Sequence, residues 1–263
     1  IIGTAFSIAS SYNNKTDKFI LITPSLYKAQ QLYSLLSCLV DNTKVALFPS
    51  DELLRAELIA ENNELSSQRI FVLNEILNGN IDIVILPTSS LIRYLPNKDL
   101  FASSSFHFNI GDTIDLKMII SSLVRNGYRR VNKIDQSMQF ALRGDILDIF
   151  SLNYDHPLRI ELFDDTIESI RTFNIGTQTS FAKLESVDIL LATDLLLTDN
   201  EREEAIKFLK EETDKEVLAL SSTEGASLKD KIDDLISDLS LCNYSPKLYK
   251  YYSIFHPKKM NIL

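Results

Sequence analysis

The sequence predicts an α/β chain: a parallel-sheet domain split by an inserted α+β domain built on an antiparallel sheet. Three observations carry this reading. Short, almost wholly apolar runs in the N-terminal third are separated by stretches of helical periodicity. Between about residues 98 and 190, short alternating runs follow one another closely. From about residue 191 the helical pattern returns.

Taken in order, KFILITP (18–24) reads as a strand ending in a turn proline. SLYKAQQLYSLLSCLV (25–40) has apolar residues at helical spacing, with Ser25 as its N-cap. KVALFP (44–49) is a second strand. NNELSSQRIFVLNEILNG (62–79) is a helix stopped by Gly79, and IDIVILP (81–87) is a third strand too apolar to expose a face. Buried strands alternating with helices predict a parallel sheet covered on both sides. The reading gives residues 1–97 as the first half of the α/β domain, with a link near Pro96-Asn97-Lys98. Residues 98–190 form the insertion and 191–263 the remainder of the α/β domain.

Within the insertion SFHFNI (105–110) alternates, and DLKMIISSLVRNG (115–127) is one helix ending at Gly127. YRRVNKID, MQFALRG, DILDIF, PLRIELFDD, TIESIRTFN and ESVDILL supply strands, with Asp164-Asp165 as a hairpin turn. Beyond it, NEREEAIKFLKEE (200–212) and SLKDKIDDLISDLSL (227–241) are amphipathic helices.

Composition narrows the function. Apolar residues make up 45 % and charged residues 24 % of the 263, an ordinary globular balance. No run is long and apolar enough to span a membrane, and the N-terminus lacks a signal-peptide pattern. The chain begins inside an apolar run without Met and ends without a cap or tail, so a fragment of a longer cytoplasmic protein is expected. Cys38 and Cys242 sit among apolar residues and read as buried, reduced thiols. His107, His156 and His256 are isolated, so no metal site is expected. A net charge of −9 discourages a polyanion such as DNA unless a local basic patch overrides it.

The glycines decide the nucleotide question. They lie at 3, 79, 111, 127, 144, 176 and 225. A phosphate-binding loop needs glycines five apart followed by Lys and Ser or Thr, and a dinucleotide loop needs three within six residues. Neither spacing exists here. VALFPSDE (45–52) imitates a magnesium-binding strand end at Asp51-Glu52, but with no phosphate loop the acids read as a loop or helix start. No catalytic residue, cofactor or metal ligand is expected.

Two surface features remain. Arg125, Arg129, Arg130 and Lys133 cluster around a helix end. They fit dipole compensation and snorkelling side chains, or alternatively a small anion contact. In PLRIELF (157–163) strand alternation puts Leu158, Ile160 and Leu162 on one face and Arg159, Glu161 and Phe163 on the other. A phenylalanine beside an arginine on the polar face is covered by a loop or domain, or is a protein-binding hot spot; Arg and large aromatics are enriched at interface centres. Arg143, followed by the freely bending Gly144, lies on another strand of the same sheet, within reach of that face, where the glycine fits a bulge.

The residues GYRRV, FALRGDILDIF and RIELFDDTIESIRTFNIGTQTS occur in the order and spacing of one family, and LITPSLYKAQQLYSLL and DIVILPTSSLIRYLP fit the same module upstream. The chain resembles the N-terminal module of bacterial transcription-repair coupling factors (Mfd), whose close relative is UvrB, the helicase-like protein of nucleotide excision repair. The resemblance is strongest over 127–180, extends over 18–97 and fades after about 195. It implies a RecA-like domain, degenerate in its nucleotide site, split by a domain that binds UvrA, the damage-sensing ATPase. It implies that Arg143, Arg159 and Phe163 contact UvrA. The region matching the UvrB phosphate loop, GTAFSIASS, has Gly3 but no lysine, and residues 46–72 hold Phe48 and Phe71 but no tyrosine and no room for a DNA-clamping hairpin. Neither ATP hydrolysis nor damaged-DNA clamping is therefore expected; the readings set against this one are a UvrB-like ATPase fragment and a DNA-binding module. Contacts to RNA polymerase and DNA, with ATP and magnesium, belong to other domains of the family's full-length proteins. The resemblance also implies that a C-terminal domain masks the UvrA-binding face until the motor engages polymerase.

Overall fold

The computed structural model describes residues 1–12, 17–50, 63–243, 246–249 and 251–252. They divide into two compact units. One is Ile1–Leu95; the other starts at Pro96 and takes in every described residue after it.

The first unit is a three-stranded parallel sheet. Its strands are β1 (Phe19–Thr23), β2 (Val45–Leu47) and β3 (Ile83–Pro87), in the order β1-β3-β2. Helices α1 (Ile2–Ser11), α2 (Leu26–Leu39) and α3 (Asn63–Leu77) accompany it, α2 and α3 lying between consecutive strands as parallel connections require. Ser25 caps α2, its Oγ accepting the Lys28 N–H at 3.3 Å. Alternate residues of β2 and β3 feed two cores. Val45, Leu47, Ile83 and Ile85 pack with Ala5, Ala29, Leu32 and Leu36. Ala46, Phe48, Val84 and Leu86 pack with Val72 and Leu95.

The expected two-sided cover holds for β2 and β3 but not throughout. On the edge strand β1, Ile20 and Ile22 are 44 % and 48 % exposed, so among the described residues one face of β1 is bare. Asp82, buried at the start of β3, accepts from Tyr12 Oη at 2.6 Å and pairs with Lys18, which fastens the end of α1 to the sheet. The Gly3–Ser11 stretch lies in helix α1, while Asp51 and Glu52 fall outside the described residues, as does His256.

The second unit opens with α4 (Lys98–Ser103), capped by Asn97 where a plain link is expected. The strand β4 (Phe106–Asn109) and helix α5 (Leu116–Arg125, capped by Asp115) follow. Six strands then form one sheet. They are β5 (Arg129–Arg130), β6 (Gln139–Arg143), β7 (Ile146–Phe150), β8 (Leu158–Phe163), β9 (Thr166–Phe173) and β10 (Ser180–Leu184). Their order is sequential, β10-β9-β8-β7-β6-β5, and antiparallel except that β5 joins β6 in parallel. The exception arises because residues 131–138 cross back over the sheet, where Val131 and Ile134 pack on Ala141, Phe150 and Phe173. The ESVDILL strand, β11 (Ser186–Ile189), pairs with β4 in a separate two-stranded sheet.

Gly127 ends α5 at φ +88, and a Cβ there would stand 2.8 Å from Thr193 Cβ. Only glycine allows both the left-handed turn and this close approach. The approach brings Ala192 N–H to the Asn126 carbonyl at 2.8 Å. Arg125 donates to Asp199 Oδ2 at 2.9 Å. These bonds fix residues 192–199 against the end of α5.

The long helices α6 (Asp199–Val217) and α7 (Ser222–Ser240) pack together and each starts with a capping box, Thr198 with Glu201 and Ser221 with Glu224. The second box starts α7 five residues before the apolar pattern does. The short α8 (Pro246–Tyr249) follows.

The cysteine expectation is corrected: Cys38 is exposed and Cys242 half-buried, both as free thiols. The buried stripe of α2 runs through Ala29, Leu32 and Leu36, and Cys38 lies about 200° around the helix from Leu36. His107 is not isolated either, since its Nδ1 lies 2.7 Å from Asp188 Oδ1 across the β4–β11 pair.

Candidate functional site

The site forms where two hairpins of the six-stranded sheet end side by side. Strands β6 and β7 join through Gly144-Asp145, with Arg143 paired to Ile146. Gly144 has φ +59 and open space around it, so glycine serves the turn and not a close contact. Arg143-Gly144 thus leads into a two-residue hairpin turn, Gly144-Asp145, not a bulge. Strands β8 and β9 join through Asp164-Asp165, with Phe163 paired to Thr166 and Asp164 at φ +60. The Leu162 N–H donates to the Asp145 carbonyl at 2.9 Å, tying one turn to the neighbouring strand beside Phe163. A bulge does occur, between Glu161 and Leu162 against β9.

The sheet's faces differ as strand alternation requires. Phe140, Leu147, Ile149, Leu158, Ile160 and Ile170 are fully buried on one side. The other side carries Arg143, Asp148, Arg159, Glu161 and Phe163.

Phe163 is 75 % exposed; no described residue covers it. Its ring stands on a strand whose alternate residues anchor the core, so a large apolar group is presented at little further ordering cost. Arg143 is half exposed, and its Nη2 donates to Asp148 Oδ2 at 2.7 Å. Two inter-strand steps and one two-residue step along β8 separate Arg143 from Phe163, about 12 Å between backbones.

Arg159 lies on the same face but is held differently. Its side chain is only 14 % exposed. Nε and Nη2 donate to the two carboxylate oxygens of Asp148 at 2.8 and 2.9 Å, a bidentate pair across directly opposed residues. Nη1 reaches the Gln178 carbonyl at 3.3 Å, and Cζ stacks 4.4 Å from the centre of the Phe173 ring. The hydrogen bonds that Arg159 donates to Asp148 push the Arg159 pKa up, keeping the guanidinium charged despite partial burial.

Asp148, 2 % exposed, is the residue that sequence reading overlooks. It gathers three charge-assisted hydrogen bonds from two arginines. The sequence signal is an acid between the apolar Leu147 and Ile149; the arginine opposite it comes only from the strand register. Of the other basic cluster, Arg125 is engaged with Asp199 and Ser122, while Arg129 and Arg130 sit exposed on the edge strand β5. Among the described residues no group of His, Cys, Asp and Glu could hold a metal ion.

Residues 106–195 match the family model described as the UvrB interaction domain. Those limits run from β4 to just past β11 and contain every residue of the site. The chain is 33 % identical to the transcription-repair-coupling factor of Bacillus subtilis (strain 168) over 274 aligned residues, covering 99 % of this chain and 22 % of the relative. It is 34 % identical to the transcription-repair-coupling factor of Staphylococcus aureus (strain bovine RF122 / ET3-1) over 205 residues, 78 % of this chain and 17 % of the relative. The chain belongs to the transcription-repair coupling factor family.

It spans about a fifth of the length of these relatives. Within the family's UvrB interaction domain, the exposed Phe163 and the half-exposed Arg143 stand at one end of a sheet braced by the Asp148–Arg159 pair. No described helix is long and apolar enough to cross a membrane.

Proposed function

We propose that this chain is a non-catalytic recruitment module whose inserted domain, residues 98–190, docks UvrA and so brings it to stalled RNA polymerase in transcription-coupled repair. The flanking segments, 1–97 and 191–263, are read as the divided halves of a RecA-like domain without a working nucleotide site. Contacts to polymerase and DNA, and the use of ATP and magnesium, are assigned to other parts of the full-length protein.

The observation that carries the proposal is Phe163, three-quarters exposed beside an arginine, in a segment matching the UvrB interaction domain. Phe163 acts as the apolar anchor. Arg143 directs its free N–H groups to carboxylates or carbonyls of UvrA. Arg159 contributes its outer edge and, through Asp148, holds Arg143 in place.

Calorimetric titration with UvrA tests this. Phe163→Ala and Arg143→Ala should each weaken binding by about 2–4 kcal/mol if they are hot spots. Unchanged affinity in both folded variants would end the assignment. For the nucleotide site, addition of ATP and magnesium should leave the melting temperature unchanged; a saturable rise would restore an ATPase reading.

A further inference from the structure

On the face of the six-stranded sheet opposite the main core, beside the strip that residues 131–138 cover, pairing register lines up four charged residues. Asp148 on β7 faces Arg159 on β8, Arg159 faces Arg171 on β9, and Arg171 faces Lys183 on β10. Directly opposed residues share a face, so three cations stand in a row at the inter-strand spacing of about 4.8 Å. Like charges directly opposite one another destabilise a sheet. The fold answers them only in part. Asp148 takes up Arg159. Glu161 Oε2 lies 3.3 Å from Arg171 Nη2 and also accepts from Ser169 Oγ at 2.6 Å. Arg171 Nε is a buried N–H without a hydrogen-bond partner among the described residues. Lys183 is exposed and makes no ion pair among the described residues. Arg143, Arg159, Arg171 and Lys183 thus face two carboxylates, Asp148 and Glu161, in a chain whose net charge is −9.

We propose that Arg171 and Lys183 extend the docking site across the sheet and bind carboxylates of an acidic segment on the protein partner. This rests on the docking reading above and adds to it a charge class and a direction. The row is unfavourable to the isolated sheet and becomes favourable when opposite charge is laid against it. A protein fits better than a nucleic acid, because Phe163 on the same face is 75 % exposed and offers apolar area that a phosphate backbone does not use.

The test is calorimetric titration of UvrA against wild type, Phe163→Ala, Arg171→Gln and Lys183→Glu at low and moderate salt, with association rates followed in parallel. Lys183→Glu alters only an exposed side chain and keeps the fold assessable. It should weaken binding roughly fivefold to tenfold at low salt, mainly by slowing association, and the loss should shrink as salt rises. Arg171→Gln should cost roughly tenfold. Wild-type affinity in Lys183→Glu and Arg171→Gln, with Phe163→Ala weakened, would overturn the extension and leave docking standing. Failure of wild type to bind, or wild-type affinity in Phe163→Ala as well, would overturn the docking reading and this inference with it. Loss of salt-steep duplex-DNA binding in Lys183→Glu, with UvrA affinity unchanged, would also overturn it, by making the row a nucleic-acid contact.

Discussion

Replacing Asp148 by Asn should destabilise the second unit far more than it changes its shape. The carboxylate is 2 % exposed and receives three charge-assisted hydrogen bonds, two of them from an arginine that is itself only 14 % exposed. Asn has nearly the same volume but no charge, and it turns an amide N–H group toward guanidinium donors. A buried ion pair broken from one side costs about 3–5 kcal/mol, because the remaining charge stays buried and uncompensated. The residual exposure of Arg159 and its stacking on Phe173 place the expected loss near the lower end, about 3 kcal/mol. Arg143 adds little to that sum: it is half exposed, and such pairs contribute about 1 kcal/mol or less. A domain of total stability about 5–15 kcal/mol survives the change. Its melting temperature should fall by about 6–12 °C at about 2–4 °C per kcal/mol. Urea denaturation of wild type, Asp148→Asn, Arg159→Met, the double variant and Arg143→Ala measures each step. The double variant should recover part of the loss, since removing both charges leaves neither stranded. Stability within about 0.5 kcal/mol of wild type for Asp148→Asn, or an equal loss in Arg143→Ala, would refute the account of Asp148 as the buried brace.

Other outcomes follow from the same geometry. Phe163→Ala should leave urea stability within about 0.5 kcal/mol of wild type, because the ring is exposed in the free chain. Arg159→Ala should instead lower stability by about 3–5 kcal/mol, so its effect on UvrA binding combines lost contact with lost support. Gly127→Ala should cost about 1–3 kcal/mol or more in thermal melts, from the left-handed backbone and the collision with Thr193. At Asp82, burial raises the pKa, but hydrogen bonds from Lys18 and Tyr12 outweigh it and hold the carboxyl below its usual 3.8. A depressed folded-state pKa stabilises at pH above 3.8 and loses that contribution as pH falls through the lower, folded-state value. Asp82→Asn should therefore flatten the acid limb of a stability–pH curve below about pH 4, and an unchanged limb would contradict the clamp.

Much of the fold was legible because its signals are local. Alternation along PLRIELF put Phe163 opposite Leu162, Gly127 marked the end of α5, and Asp164-Asp165 marked the hairpin turn. Apolar runs between helices gave the parallel sheet, apart from the bare face of β1, where exposure depends on which strand lies at the edge. The errors were of the same kind. Cys38 sits in an apolar stretch, yet helical phase turns it outward. β5 runs parallel because residues 131–138 cross the sheet, and α7 begins at a polar capping box that apolar periodicity does not register.

Arg159 and Phe163 could be chosen from residue type and strand period, and the family resemblance joined Arg143 to them and supplied a partner for all three. Their different conditions could not. Period two says which face a side chain takes, but not which residue of the next strand stands opposite it. Only the register brings Asp148 beneath Arg159, leaving Arg143 half free and Phe163 bare, and only it sets Arg171 and Lys183 in line with Arg159. The sequence by itself determined the strands, their faces and the family. The tertiary structure decided which charges meet, because strand pairing joins residues whose separation along the chain carries no trace of their contact.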